Sequence, residues 1–191
     1  MKLRTPQEIT AATLDVGNAK VSMSSGRLVV QSLQAGAFIA FGGVLSLIVG
    51  FGFPDLTAAN PALQKLLSGC MFPIGLILVV TLGAELFTGN NALLMPGLMK
   101  RQFGFVAVMR NWALVYFGNF AGALLFTYVM VYAAGLTAAD PWHSAIIRTA
   151  EAKVALPWLS VFIKGIGANW CVCLAVWLAL SGHTLFEKAI G

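Results

Sequence analysis

The stretch from Pro61 to Met99 is apolar for about 40 residues without a convincing polar loop. Drawn as one helix it would be roughly 55–60 Å long, nearly twice the thickness of a bilayer's hydrocarbon core. Something must therefore interrupt it. The interruption is legible at Gly83-Ala84-Glu85-Leu86-Phe87-Thr88-Gly89-Asn90-Asn91, where glycine, asparagine and a carboxylate together lower helix propensity. A bilayer is the right frame, because 59% of the chain is apolar and only 10% is charged. Soluble domains carry about a quarter charged residues, so the surplus apolar surface must face lipid. Non-helical backbone at membrane depth survives only when it is buried in protein or lines a wet cavity. The element therefore reads as a broken helix around a pore or binding site.

Three further spans are expected. One runs from Leu33 to Phe53, uncharged, with Gly36, Gly42, Gly43 and Gly50 available for close packing. One covers Phe105 to Ala134, with Gly118, Asn119 and Gly122 forming a small, polar packing spot. The last runs from Pro157 to Leu180, and Gly135 to Leu156 between them reads as a polar connection. Before the first span, residues 5–24 look like an amphipathic helix, with Thr5 as cap, Pro6 at its first position and Glu8 completing a capping box. That helix is expected on the membrane surface or against neighbouring subunits. The division is thus a cytoplasmic amphipathic segment, 1–30, and a transmembrane channel domain, 31–191. No cleavable leader is expected, since the first apolar run starts only after about 30 residues.

The net charge of +5 is explained by topology rather than by nucleic acid, because no phosphate-binding stripe interleaved with exposed aromatics is present. Lys2, Arg4, Lys20, Arg27, Lys100, Arg101, Arg110 and Lys188 fall on one side of the spans, which the positive-inside rule makes cytoplasmic. Lys65, Arg148 and Lys153 fall on the other. The chain is expected to be a multi-pass protein of a cell membrane, a bacterial inner membrane, with its amino terminus inside. Cys171 and Cys173 point to different faces of one helix, so they imply neither a metal site nor a disulfide framework. No cofactor is implied, and no nucleophile–base pair suggests an enzyme.

Two residues near the interruption carry chemistry. Glu85 is a carboxylate inside an apolar span, and such groups are costly and usually employed. Its expected employment is to accept N–H groups freed by the helix break; proton or anion gating is the alternative. Thr88 offers a hydroxyl, and the freed N–H groups of Gly89–Asn91 join it. A half-helix starting near Asn90 would point its positive end into the membrane centre, which favours an anion.

The segment GAELFTGN (Gly83–Asn90) resembles the signature of the formate/nitrite transporter family. RNWALVYFGNFAGALLF (Arg110–Phe126) is similar to the family's third helix, and GIGANWCVCLAVWLA (Gly165–Ala179) to its fourth. The resemblance implies an all-α, aquaporin-like fold and a homopentamer with a pore through each protomer. It also implies passage of a small monovalent anion: formate, nitrite or hydrosulfide, with lactate for some members. Residue by residue, Phe72 and Leu76 match the cytoplasmic constriction, and Leu86 and Phe87 match positions at the apolar slits. Thr88 matches the threonine that faces the anion. Lys153, in TAEAK, matches a lysine acting on the loop from the outer side, and Asn169 matches an asparagine of the fourth helix.

The family has six spans in two inverted repeats of three, and about four are expected here. The second broken helix and its central histidine have no counterpart; His143 and His183 lie outside the spans. The chain is therefore expected to be a partial protein. It would be either a transporter of small anions, proton-coupled in the manner of the family, or a non-conducting membrane subunit that joins full-length protomers. A water or glycerol channel would carry a pair of Asn-Pro-Ala segments, and no such pair occurs in this sequence.

Overall fold

The computed structural model describes residues 3–190. Among them every regular element is helical. Helix α1 (Pro6–Val21) opens with the expected capping box: the Glu8 amide donates to Thr5 Oγ1 at 3.3 Å and the Thr5 amide to Glu8 Oε2 at 2.6 Å. Pro6 occupies its first turn, where a missing N–H costs nothing. The helix packs on its own chain. Gly17 lies so close to the Leu93 carbonyl that a Cβ there would stand 2.9 Å from it.

Helix α2 (Ser25–Phe51) starts well before Leu33, inside the segment assigned to the cytoplasmic part. Arg27 and Gln31 are polar but good helix formers, so nothing stops the helix growing back to Ser25. The elbow between α1 and α2 is closed by Arg110, whose Nη2 donates to Met23 O at 3.0 Å and to Ser25 Oγ at 2.7 Å.

Short α3 (Pro54–Ala59) leads to α4 (Pro61–Met71) and α5 (Pro73–Leu82), which together form one span with an interruption at Phe72. Proline at 73 removes a donor there. Gly83, at φ +69°, ends α5 in the left-handed conformation that glycine adopts without strain. After an extended Leu86 the chain re-enters a helix, α6 (Phe87–Met99). The interruption is therefore real, and the new helix starts three residues before Asn90.

Helix α7 (Phe105–Phe126) continues into a π-helical turn, Thr127–Ala133. The expected polar connection after it is mostly helix α8 (Trp142–Val154). Asp140 caps its start, accepting from the Ser144 amide at 3.0 Å and the Ser144 hydroxyl at 2.7 Å, and Trp142 Nε1 ties it to Ile48 O at 2.9 Å. These side-chain bonds, remote in sequence or local to the cap, outweigh the polarity that suggested a loop. Helices α9 (Trp158–Ser181) and α10 (Leu185–Ile190) complete the described chain.

Four helical segments are long and apolar enough to cross a bilayer: Ser25–Phe51, Pro61–Leu82, Phe105–Ala133 and Trp158–Ser181. Helix α2 is the hub. On one side, a Cβ on Gly36 or Gly122 would run into backbone of α7 or α2, and one on Gly118 into Ser32. On the other, a Cβ on Gly75 would stand 2.7 Å from Phe38 O, and one on Gly42 2.7 Å from Phe72 O. Without a hydrophobic drive between helices in lipid, such small-residue contacts set the packing. Helix α9 is different. Trp158, Phe162, Ile166, Trp170 and Leu178 are all exposed, leaving an apolar flank for lipid or further helices.

Candidate functional site: a broken span beside an apolar cavity

The break is held from three directions. Its first anchor is α2, since the Glu85 amide donates to Gln31 O at 3.1 Å. Its second is Asn119 on α7. Asn119 Nδ2 donates to Ser32 O and to Glu85 O, both at 2.8 Å, and its Oδ1 accepts from the Phe87 amide at 2.8 Å. Its third is the Glu85 side chain. Oε1 accepts from Lys20 Nζ at 2.6 Å, and Oε2 accepts from Asn90 Nδ2 at 2.8 Å. Asn90 Nδ2 also donates to Asn111 Oδ1 at 2.8 Å.

This corrects the expected employment of Glu85. Its carboxylate takes a lysine and a side-chain amide rather than backbone N–H groups freed by the break. The reason is that Asn119 already serves the first of those N–H groups. Lys20, Asn111 and Asn119 were not picked out as site residues. Asn119 had a signal, a polar residue between two packing glycines. Lys20 and Asn111 had none, because only the tertiary fold brings them near Glu85.

The depth of the break is read along α2. Gln31 lies about 9 Å from the start of α2, and Phe51 about 30 Å further on. The turn is thus inside the helical layer but closer to the amino-terminal end of α2 than to its middle. Phe72 lies at the level of Gly42, about 16 Å beyond Gln31. The resemblance set Phe72 and Leu76 at the cytoplasmic constriction. Phe72 lies on the far side of the break from the basic amino-terminal end of the chain. The cause is topological: α4 and α5 enter from the far end of α2 and reach the break last.

Phe72, Leu76, Leu86 and Thr88 nonetheless share one cavity, of about 550 Å³, between α5 and α9. Its α9 wall includes Cys171, Val172 and Ala175. Phe87 is not among the lining residues. Its ring packs edge-on against Trp112 and Tyr116 of α7, at centroid distances of 6.2 and 5.2 Å. Leu86, extended just before α6, lines the cavity, whereas the Phe87 ring is turned to α7. That removes Phe87 from the expected constriction.

The polar lining of the cavity is Thr88 at the start of α6 and Lys188 on α10. The Phe87 amide is bound to Asn119 and the Asn90 amide donates to Leu86 O at 2.9 Å. The amides of Thr88 and Gly89 have no hydrogen-bond partner among the described residues. The available pair is therefore Thr88 and Gly89, not Gly89–Asn91, because α6 begins earlier than expected; Thr88 lines this cavity and Gly89 a second one on the α1 side of the break. Asn90 is buried and occupied by Glu85 and Asn111. Asn169 stands one turn before Cys173 on α9. The Cys173 sulfur is 3.3 Å from Thr88 O and 3.4 Å from Asn169 Oδ1, so Asn169 reaches the break only through that thiol.

Lys153 is not brought to this place. It is exposed on α8 beside a separate depression of about 430 Å³ that Arg148, Lys164 and Phe51 also line. A second cavity, of about 350 Å³, lies on the α1 side of the break and includes Lys20, Glu85 and Asn90. Among the described residues no group of His, Cys, Asp or Glu is placed to hold a metal ion.

A span broken inside the helical layer, with the positive end of a half-helix beside a cavity, is the construction of multi-pass membrane transport proteins. The model of the formate/nitrite transporter family matches residues 7–191, and the chain belongs to that family. It is 34% identical, over all of its length and 72% of the relative's, to a formate channel of Bacillus thuringiensis. In structure it is similar to an FNT family ion channel, with a TM-score of 0.82 at 26% identity, covering 96% of this chain and 72% of the other. It is also similar to a pentameric formate channel with formate bound, with a TM-score of 0.73 at 28% identity, covering 87% of this chain and 64% of the other.

Proposed function

We propose that the chain forms a membrane pathway for small monovalent anions, formate foremost, with nitrite and hydrosulfide as alternatives. The observation that carries the reading is the pair of unpartnered amides at Thr88 and Gly89 beside the Thr88 hydroxyl, at the positive end of α6. These donors can replace part of an anion's hydration. The apolar walls at Phe72, Leu76 and Leu86 would exclude hydrated ions of other kinds. Moving a bare charge through such walls is expensive, and crossing as the neutral acid lowers that cost, which supports proton coupling. Lys153, with Arg148 and Lys164 beside it, would gather anions at the outer face. Asn169 would tune the α9 wall through Cys173.

The relatives' names support formate as the substrate and a homopentamer as the assembly. The basic residues at the amino-terminal end support a cytoplasmic amino terminus, and the Bacillus relatives support a bacterial inner membrane. A second reading is a non-conducting subunit. It is favoured by the apolar flank of α9, which offers a face to a neighbouring chain.

Formate, nitrite and hydrosulfide flux into liposomes containing the purified chain separates the two. Flux from the chain alone, reduced about tenfold or more by Thr88→Val, is the expected result, since one hydrogen bond to a charged group is worth roughly 1.5–3 kcal/mol. Absence of flux alone, with flux restored by a full-length relative, supports the second reading. Undiminished flux in Thr88→Val would remove Thr88 from the path.

A further inference from the structure

We propose that Asn119 is the positioning residue that sets the Leu86–Thr88 wall of the cavity. The proposal rests on the reading above that Leu86 and Thr88 face the anion's path. Leu86, with extended backbone (φ −108°, ψ 127°), is the last residue before α6. The backbone on each side of it is bound by the same carboxamide: Glu85 O before it and the Phe87 amide after it. The remaining Nδ2 proton goes to Ser32 O on α2. The two donors and the acceptor oxygen of Asn119 are all engaged, and no other residue type of this size supplies two donors and an acceptor. Reversing the amide would set its oxygen against two carbonyls, so its orientation is fixed by its partners.

The platform under Asn119 is stiff. Its own backbone is pressed against Gly36, where a Cβ would overlap the Asn119 carbonyl, and the flanking Gly118 and Gly122 let α2 approach equally closely. A shift of α7 relative to α2 would therefore move the wall, and a fixed α7 fixes it. A positioning residue mounted on a rigid helix is more precise than one carried on a loop.

The test has two arms, both on the full chain in lipid nanodiscs or liposomes. The first is residue-resolved amide hydrogen exchange. The first amide of a helix ordinarily exchanges freely, yet the wild-type Phe87 amide should exchange about tenfold or more slowly than the Thr88 amide, the effect of about 1.4 kcal/mol from one bond. Asn119→Ala should abolish that difference while α2 and α7 keep their protection, whereas Asn119→Asp, which can accept but not donate, should retain it. Equal exchange at Phe87 and Thr88 in the wild type overturns the proposal, whether or not the variants fold. So does protection lost along all of α2 and α7 in Asn119→Ala. The second arm is the ratio of formate to acetate flux in Asn119→Asp. A displaced wall should change that ratio by about threefold or more, while a merely less stable protein would lower both fluxes together. An unchanged ratio overturns the proposal. Absence of any flux in the wild type would defeat the transport reading, and the exchange arm would still decide whether Asn119 positions the turn.

Discussion

Lys20 and Glu85 lie 65 positions apart in the sequence and 2.6 Å apart in space, with side chains only 12% and 5% exposed. The pair locks α1 to the broken span, and Asn90 holds the carboxylate's other oxygen. Breaking a buried pair by removing one partner costs about 3–5 kcal/mol, because the remaining charge is left without compensation. Lys20→Met should therefore lower the unfolding midpoint of the detergent-solubilised protein strongly. The double variant Lys20→Met/Glu85→Gln should recover much of that loss, since no charge is then stranded. Two losses that simply add would show that the pair is not coupled.

The four spans and the place of the break were legible because each depends on local composition. Pro61 to Met99 is too long and too apolar to be one helix, and Gly83 supplies the left-handed residue that ends α5. What holds the break was not legible. Lys20 comes from α1, and Asn111 and Asn119 from α7, and no spacing rule links them to Glu85. The start of α6 at Phe87 was missed for a related reason. Asn119 caps the Phe87 amide from another helix, so the usual signal of a capping side chain at the residue before the helix is absent. The helix at Trp142–Val154 was obscured because its polarity matches a loop, while its anchor, Trp142 to Ile48 O, is remote in sequence.

Gly36 tests the packing of the hub. Its place against the Asn119 backbone has no room for a methyl group, and the obstacle is main chain, which cannot swing aside. Gly36→Ala should cost about 1–3 kcal/mol, the usual penalty of overpacking. Gly26→Ala, in the first turn of α2 with open space around it, should be neutral or slightly stabilising. Thermal unfolding of both variants under one set of conditions checks the contrast. Equal midpoints would mean that α2 and α7 are not as close as described.

The cap of α1 should be sensitive to acid. The Thr5 amide and then the Thr5 hydroxyl hold the Glu8 carboxyl below its ordinary value of 4.5. A carboxylate whose value is depressed on folding contributes stability above its unfolded value, and loses it as the pH falls through the lower, folded one. The first turn of α1 should therefore be intact at neutral pH and fray progressively below about pH 4.5. In Glu8→Gln this dependence should vanish, because the amide cannot titrate. Exchange of the α1 amides followed between pH 6 and pH 3, about the range in which a carboxylate titrates, reads the difference after correction for the intrinsic rate. Identical profiles in the two proteins would count against the cap.

Leu86 and Phe87 are adjacent in sequence but should fail in different ways. Leu86 lines the cavity with Phe72, Leu76 and Thr88, and its truncation enlarges the wall without stripping the interface between α6 and α7. Leu86→Ala should therefore raise the passage of acetate relative to formate in liposomes, with a modest effect on the unfolding midpoint. Phe87 faces Trp112 and Tyr116 instead, and its ring joins α6 to α7. Phe87→Ala should cost about 3 kcal/mol of stability, the lower end of the range for losing a packed aromatic ring, and leave the acetate-to-formate ratio of the folded fraction unchanged. The opposite assignment, a selectivity change from Phe87→Ala and none from Leu86→Ala, would place the constriction on the α7 side of the break and move the anion's path away from Thr88.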